Sequence, residues 1–220
     1  MDFSFVFSEW RVLLIGTYHT ILVSAISLVL GFVLGLLVCL LRLSSHRALV
    51  EIGRFYISFF RGVPLLVQLL LIFYMLPLIG VNISSIGAAI VGVSVVAAAY
   101  QAEILRGGFQ AIPHGQVEAA RMMGLSSRRI FARILLPQAL QRVTPSLVND
   151  AILLLKSSSL ISVVGVLDLT RASQNIAASS LRPMEAYLAA AIIYLFLTAL
   201  LSIAGRSLER QLALAGGLAR

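Results

Sequence analysis

The sequence predicts an all-α, multi-pass membrane bundle of about five transmembrane helices, with the N-terminus outside and the C-terminus inside. Three observations carry that prediction. Of the 220 residues, 60% are hydrophobic and only 12% charged, and the mean hydropathy is +0.99; soluble domains run at about 45–50% apolar and about 25% charged. Long apolar runs alternate with short polar segments, and the Lys and Arg residues gather on alternate polar segments. The apolar excess excludes a disordered chain. At roughly 20 residues per crossing, the length suits four to six spans with short loops.

The first apolar run covers residues 12–41, interrupted only by polar residues such as Thr17, His19 and Thr20. A second covers 62–80, ending near Pro77, and a third covers 86–105, closed by Glu103 and Arg106. The fourth, 143–167, contains Asn149, Asp150 and Lys156, and the fifth covers 186–204. Each is at or near the length that crosses the hydrocarbon core. They are expected as helices, because an open strand leaves backbone groups unpaired in lipid.

Orientation follows from the basic residues. With the N-terminus outside, the inner segments hold Arg42, Arg47, Arg54 and Arg61, then Arg106, Arg121, Arg128, Arg129, Arg133 and Arg142, and finally Arg206, Arg210 and Arg220. The outer segments hold Arg11, Arg171 and Arg182, and Lys156 lies inside a span. The positive-inside rule favours this arrangement. The net charge of +8 is therefore read as a topology signal rather than a nucleic-acid surface, since few aromatics interleave with it. Asp2 and Glu9 replace a basic leader region, and the first apolar run is too long for a signal peptide, so no cleavage is expected. Cys39 stands alone within an apolar run and reads as a small packing residue. Gly31 and Gly35 are spaced as GxxxG, which lets a second helix approach closely.

The segment 106–142 is longer and stranger than a connection needs to be. Its arginines oppose insertion, at roughly 2.5–3.5 kcal/mol each at a helix centre, yet Met122, Met123, Leu125, Ile130, Phe131, Ile134 and Leu135 are too apolar for a solvated linker. Pro113 suits a helix start and Gly124 a stop. Ser126 or Ser127 suits the cap of a second short helix ending by Pro137. A helix–Gly–helix unit of this kind either lies on lipid headgroups or docks into a groove of a cytoplasmic partner; the residues alone leave both open.

Glu118-Ala119-Ala120, Gly124 and Ile134-Leu135-Leu136-Pro137 resemble the EAA loop of ABC-transporter permease subunits. The likeness extends to Phe60-Arg61-Gly62-Val63-Pro64-Leu65-Leu66-Val67-Gln68, to Ala102 through Gly108, to Lys156 through Leu160 and to Gly165 through Leu169. Together these motifs are similar to the polar amino-acid uptake branch of that family over nearly the whole chain. The resemblance implies a type I importer fold in the bacterial cytoplasmic (inner) membrane. It also implies a second permease subunit, a pair of cytoplasmic ATP-binding subunits, and an external solute-binding protein that delivers a polar amino acid. Glu118, Ala119, Ala120, Gly124 and Pro137 belong to the implied coupling element. No GxxxxGK[ST] occurs in the chain, so ATP and Mg would be bound by the partner, with no cofactor here.

Ionisable and polar residues inside spans are candidates for the substrate path. Lys156 lies eleven residues after Pro145, roughly 16 Å along a helix, and so near the bilayer middle. Asn149 shares its face, whereas Asp150 shares a face with Ser157. The serine run 157–159 favours a local helix break that exposes backbone polar groups. Asn149, Lys156, Ser157 and Ser158 are therefore candidate pathway residues. Lys156 either meets a substrate carboxylate or forms a structural pair with Asp150 or Asp168. Glu103 is expected near the inner end, pairing with Arg106 or Arg142. Gln68 and Tyr100 are further candidates that interhelical hydrogen bonds also explain, and His19 reads as a bonded core histidine. A competing reading is a self-contained secondary transporter or proton-coupled channel using Asp150, Lys156 and Glu103. A further rival, an intramembrane hydrolase built on the serine run with His19 and Asp150, lacks both GxSxG and HExxH.

Overall fold

A computed structural model describes residues 8–215, with side chains to residue 212; Asp2 and Arg220 lie outside the described residues. The helices in chain order are α1 (Trp10–Arg42), α2 (Arg47–Gly62), α3 (Leu65–Met75), α4 (Ser85–Gln110), α5 (His114–Met122), α6 (Ser127–Ile130), α7 (Leu136–Ser157), α8 (Leu169–Ser180) and α9 (Pro183–Ala215). Among the described residues there is no strand. Among the described residues, four helical stretches are long and apolar enough to cross a membrane: α1, α4, the rod Ser127–Val164, and Pro183–Leu212 of α9. A fifth exists if the bent pair α2–α3 counts as one.

The core seam is α1 against α4. The GxxxG pair does this work within the chain: a Cβ on Gly31 would sit 2.7 Å from Ala97 Cβ, and one on Gly35 would sit 3.0 Å from Ala98 O. Glycine lets the two backbones meet where any larger residue would hold them apart. Three apolar clusters then follow the bundle axis. One gathers Leu13, Leu169 and Ile176, a central one Val23, Leu69, Val93 and Ile161, and one at the arginine-rich end Cys39, Leu105 and Val143. Cys39 is fully buried there. The outer faces of α1 and α9 carry exposed Val29, Ile192, Leu195 and Phe196, as expected of surfaces that face hydrocarbon.

Several boundaries differ from the sequence reading. Residues 62–80 do not form one straight crossing. The chain bends by 103° between α2 and the stretch Leu65–Ile79, and α3 has only 11 residues, about 16 Å of rise against a core of about 30 Å. Residues 47–62, read as an inner loop, are helical. α4 continues to Gln110 rather than stopping at 105. Pro137 does not end the short helix begun at Ser127. A π turn over Phe131–Leu135 precedes it, and Pro137 sits at the start of α7. The wider turn absorbs the missing proline N–H, so one helical rod runs from Ser127 to Val164.

Candidate functional site

Two helix breaks shape the centre of the bundle. Pro64 lacks an N–H and drives the preceding residue out of the helical region; Val63 accordingly is extended, with φ −96° and ψ 133°. Buried Gln68 reaches back across this elbow and donates through Nε2 to Phe60 O at 3.0 Å and Val63 O at 2.7 Å. The second break follows Ser157, where α7 tightens into a 3-10 turn over Ser158–Val164. Ser157 Oγ donates to Leu153 O, Ser158 Oγ to Leu155 O and Ser162 Oγ to Ser159 O. Hydroxyls bonded to nearby carbonyls compete with the helical ladder.

Both breaks border one cavity of about 420 Å³, within the range of small-ligand sites, about 300–1,000 Å³. Arg61, Tyr100, Asp150 and Ser157 supply polar side chains to its wall, and Phe60, Val93, Val96, Leu153 and Leu154 supply apolar ones. The Arg61 guanidinium carbon stands 5.1 Å from the Tyr100 ring centre, a cation–π contact. Asp150 Oδ2 accepts a hydrogen bond from Gln101 Nε2 at 3.1 Å.

The predicted site residues divide accordingly. Tyr100 and Ser157 line this cavity; Asn149 and Lys156 are exposed and do not. Lys156 forms no ion pair with Asp150 or Asp168 among the described residues, where the ion pairs are Arg42–Glu103, Arg54–Glu51 and Arg106–Glu103. Asp168 instead caps α8, accepting from the N–H groups of Thr170 and Arg171. Burial pushes its carboxyl up from the usual range, against the pull of those backbone donors. Ser158 is fully buried and spent on its own helix, and Gln68 is spent on the elbow. Glu103 is held by Arg106 at 2.6 Å, with Arg42 at 3.9 Å; Arg142 donates to Ala111 O instead. Asp150, Lys156 and Glu103 therefore do not form a connected relay. His19 Nδ1 is hydrogen-bonded with Leu167 O at 2.8 Å. Arg61 and Gln101 went unselected in the sequence: Arg61 read as an inner-face charge, although Pro64 three residues on marked the break that turns it inward.

At the arginine-rich end, α5 begins after Pro113 and stops at Gly124, whose φ is +75°. The Gly124 N–H donates to Arg121 O and the Leu125 N–H to Ala120 O, the reversal that a left-handed residue closes. Ala120 is buried against the bundle, while Glu118 and Ala119 are exposed. Met122 is 90% exposed and Met123 79%. Polarizable side chains displayed to this extent suit an interaction surface. Beyond Ser126, the rod Ser127–Val164 joins this segment directly to Asp150 and Ser157. Among the described residues, no three His, Cys, Asp or Glu side chains gather in a metal-holding arrangement.

Residues 18–214 match the family described as binding-protein-dependent transport system inner membrane component. The arginine transport system permease protein ArtQ of Bacillus subtilis (strain 168) is 35% identical over 96% of this chain and 97% of its own. The L-cystine transport system permease protein TcyB of the same strain is 37% identical over 93% and 88%. Among solved structures, an amino acid ABC transporter with histidines superposes with a TM-score of 0.89, at 34% identity over 96% of this chain and 99% of that one. The MetNI methionine ABC transporter gives 0.78 at 25% identity over 92% and 97%. Four to five candidate membrane helices, a cavity between two helix breaks and near full-length likeness agree: the chain belongs to the binding-protein-dependent transport system inner membrane components, as a permease subunit of the amino-acid ABC importer type.

Proposed function

We propose that this chain moves a polar amino acid through the cavity between its two helix breaks by alternating access, driven by ATP hydrolysis on a partner. One observation carries the reading: a single helical rod, Ser127–Val164, bears Arg128 and Arg129 at one end and Asp150 and Ser157 at the other. From Ser127 to Ser157 the rise is about 45 Å. A push on the exposed segment His114–Ile130 is thereby delivered to the cavity wall without a flexible joint. A pair of ATP-binding subunits grips Glu118, Ala119, Ala120, Gly124 and the Met122–Met123 surface. Its different affinities for that segment in two nucleotide states bias the permease between inward- and outward-open forms. ATP and Mg belong to those subunits. A second permease subunit, a copy or close relative, completes the pathway, and an external binding protein delivers the solute. The arginine-rich end faces the cytoplasm of a bacterial inner membrane, consistent with the positive-inside rule.

The test is ATP-driven amino-acid uptake by proteoliposomes holding the complete importer. Glu118→Ala and Met122→Asp are expected to abolish uptake while the chain still inserts and elutes as a single species. Normal uptake in both variants would refute the coupling role.

A further inference from the structure

We propose that the cavity is a two-point receptor for a solute of zero net charge, Arg61 taking a carboxylate and Asp150 an ammonium group. The solute class is an α-amino acid with an uncharged side chain. This rests on the permease reading above and narrows it.

Among the described residues the charges on the wall are one guanidinium and one carboxylate, on different helices, with no third. Neither is spent on the other, since the ion pairs of the described residues leave out both Arg61 and Asp150. Glu103, a carboxylate near enough to feel the Arg61 charge, is already taken by Arg106 and Arg42. Each group is nonetheless held. The guanidinium lies over the Tyr100 ring, a contact that spends none of its five N–H donors on a carboxylate. Asp150 accepts one bond from Gln101, and a carboxylate with two oxygens has capacity for an ammonium beside it. Val93, Val96, Leu153 and Leu154 line the remainder and suit aliphatic parts of a side chain.

Charge counting then sets selectivity. An amino-acid zwitterion matches one positive and one negative group and leaves nothing uncompensated. An added side-chain charge, of either sign, finds no counter-charge in a wall whose other polar side chains, Tyr100 and Ser157, are uncharged, and a desolvated unpaired charge is strongly disfavoured. Lys156 and Asn149 do not line the cavity and so do not alter the count.

The experiment measures direct binding of the proteinogenic L-amino acids and L-cystine to the full chain in its native complex, held in lipid nanodiscs. The tightest binder is expected to carry an uncharged side chain, with Arg, Lys, Asp and Glu at least about tenfold weaker, a gap of about 1.4 kcal/mol. Arg61→Gln and Asp150→Asn should each weaken that binder about tenfold or more; the asparagine keeps an oxygen for the Gln101 bond. Removing the carboxylate from the solute should weaken wild-type binding, and Arg61→Gln should then cause no further loss. An Arg61→Lys variant, which keeps the charge, should recover part of the affinity. Tightest binding by a charged amino acid, absence of binding by any of them, or equal Arg61→Gln losses with and without the solute carboxylate would each overturn the proposal. The wild-type ranking needs no variant, so misfolding of one cannot shield it. ATP-driven uptake that favours arginine or glutamate would sink this inference and leave the permease reading standing. No ATP-driven uptake of any amino acid would sink both.

Discussion

Gln101 donates through Nε2 to Asp150 Oδ2 at 3.1 Å, joining α4 to α7 behind the cavity wall. Gln101 is almost fully buried, and its Oε1 has no hydrogen-bond partner among the described residues. The bond therefore ties the rod that carries Asp150 to the helix that forms the core seam with α1.

Replacing Gln101 with Leu removes the side-chain donor to Asp150 and leaves a carboxylate without its brace. Such a loss costs about 1–3 kcal/mol. Thermal unfolding of the purified complex should shift downward, and solute affinity should fall with it. Gln101→Glu should be worse, because it sets two carboxylates side by side. An unchanged melting temperature in both variants would show that the brace is idle.

At the elbow, Gln68→Leu strips Phe60 O and Val63 O of their donor. Two carbonyls lose a partner at a bend that the backbone alone cannot satisfy, so a loss of about 1–3 kcal/mol is expected. Limited proteolysis near Gly62 is the sensitive readout: cleavage should speed up in the variant and stay slow in the parent.

Close approach of α1 and α4 is tested by Gly31→Leu. The new Cβ alone would press on Ala97 Cβ at 2.7 Å, and overpacking of this kind costs about 1–3 kcal/mol. The expected result is a lower unfolding temperature in detergent, partly restored by a second change, Ala97→Gly. Failure of that second change to restore anything would place the clash elsewhere.

Gly124→Ala isolates backbone conformation from sterics, since its φ is +75° and nothing lies within 4 Å of an added Cβ. A left-handed alanine costs about 1–2 kcal/mol. Uptake should drop while membrane insertion persists, and Gly124→Asn should be milder. Gly115→Ala, within α5 and also with open space around its Cβ, should be neutral or slightly stabilising.

Lys156→Ala should leave the unfolding free energy within about 0.5 kcal/mol of the parent, as for surface changes that break no pair. The reason is geometric: Lys156 is exposed and pairs with neither Asp150 nor Asp168 among the described residues. A large destabilisation, measured by the same unfolding assay, would require a partner for it that the structure does not contain.

Much of this was legible along the chain because it depends on local chemistry. Apolar run length predicted helices of the membrane-crossing kind, Gly124 predicted a stop, and the 3.6-residue period put Asp150 and Ser157 on one face, which the cavity wall uses. Less legible was anything that required two distant segments to meet. Residues 62–80 read as one crossing, and only the structure shows the 103° turn at Pro64 and the Gln68 bonds to Phe60 O and Val63 O that hold it. Pro137 looked like a terminator, and only the π turn before it shows how the rod continues.

The amino-acid order alone determined that this chain lives in a bilayer, folds as helices and breaks one of them at the serine run 157–159, because solvent preference and backbone propensity are properties of short stretches. Tertiary structure alone decided that Arg61 and Asp150, on separate helices, share one cavity while Lys156 stays outside it. Which faces of two helices meet is set by their rotation and crossing, and those depend on contacts such as Gly31 with Ala97 that lie far apart in sequence.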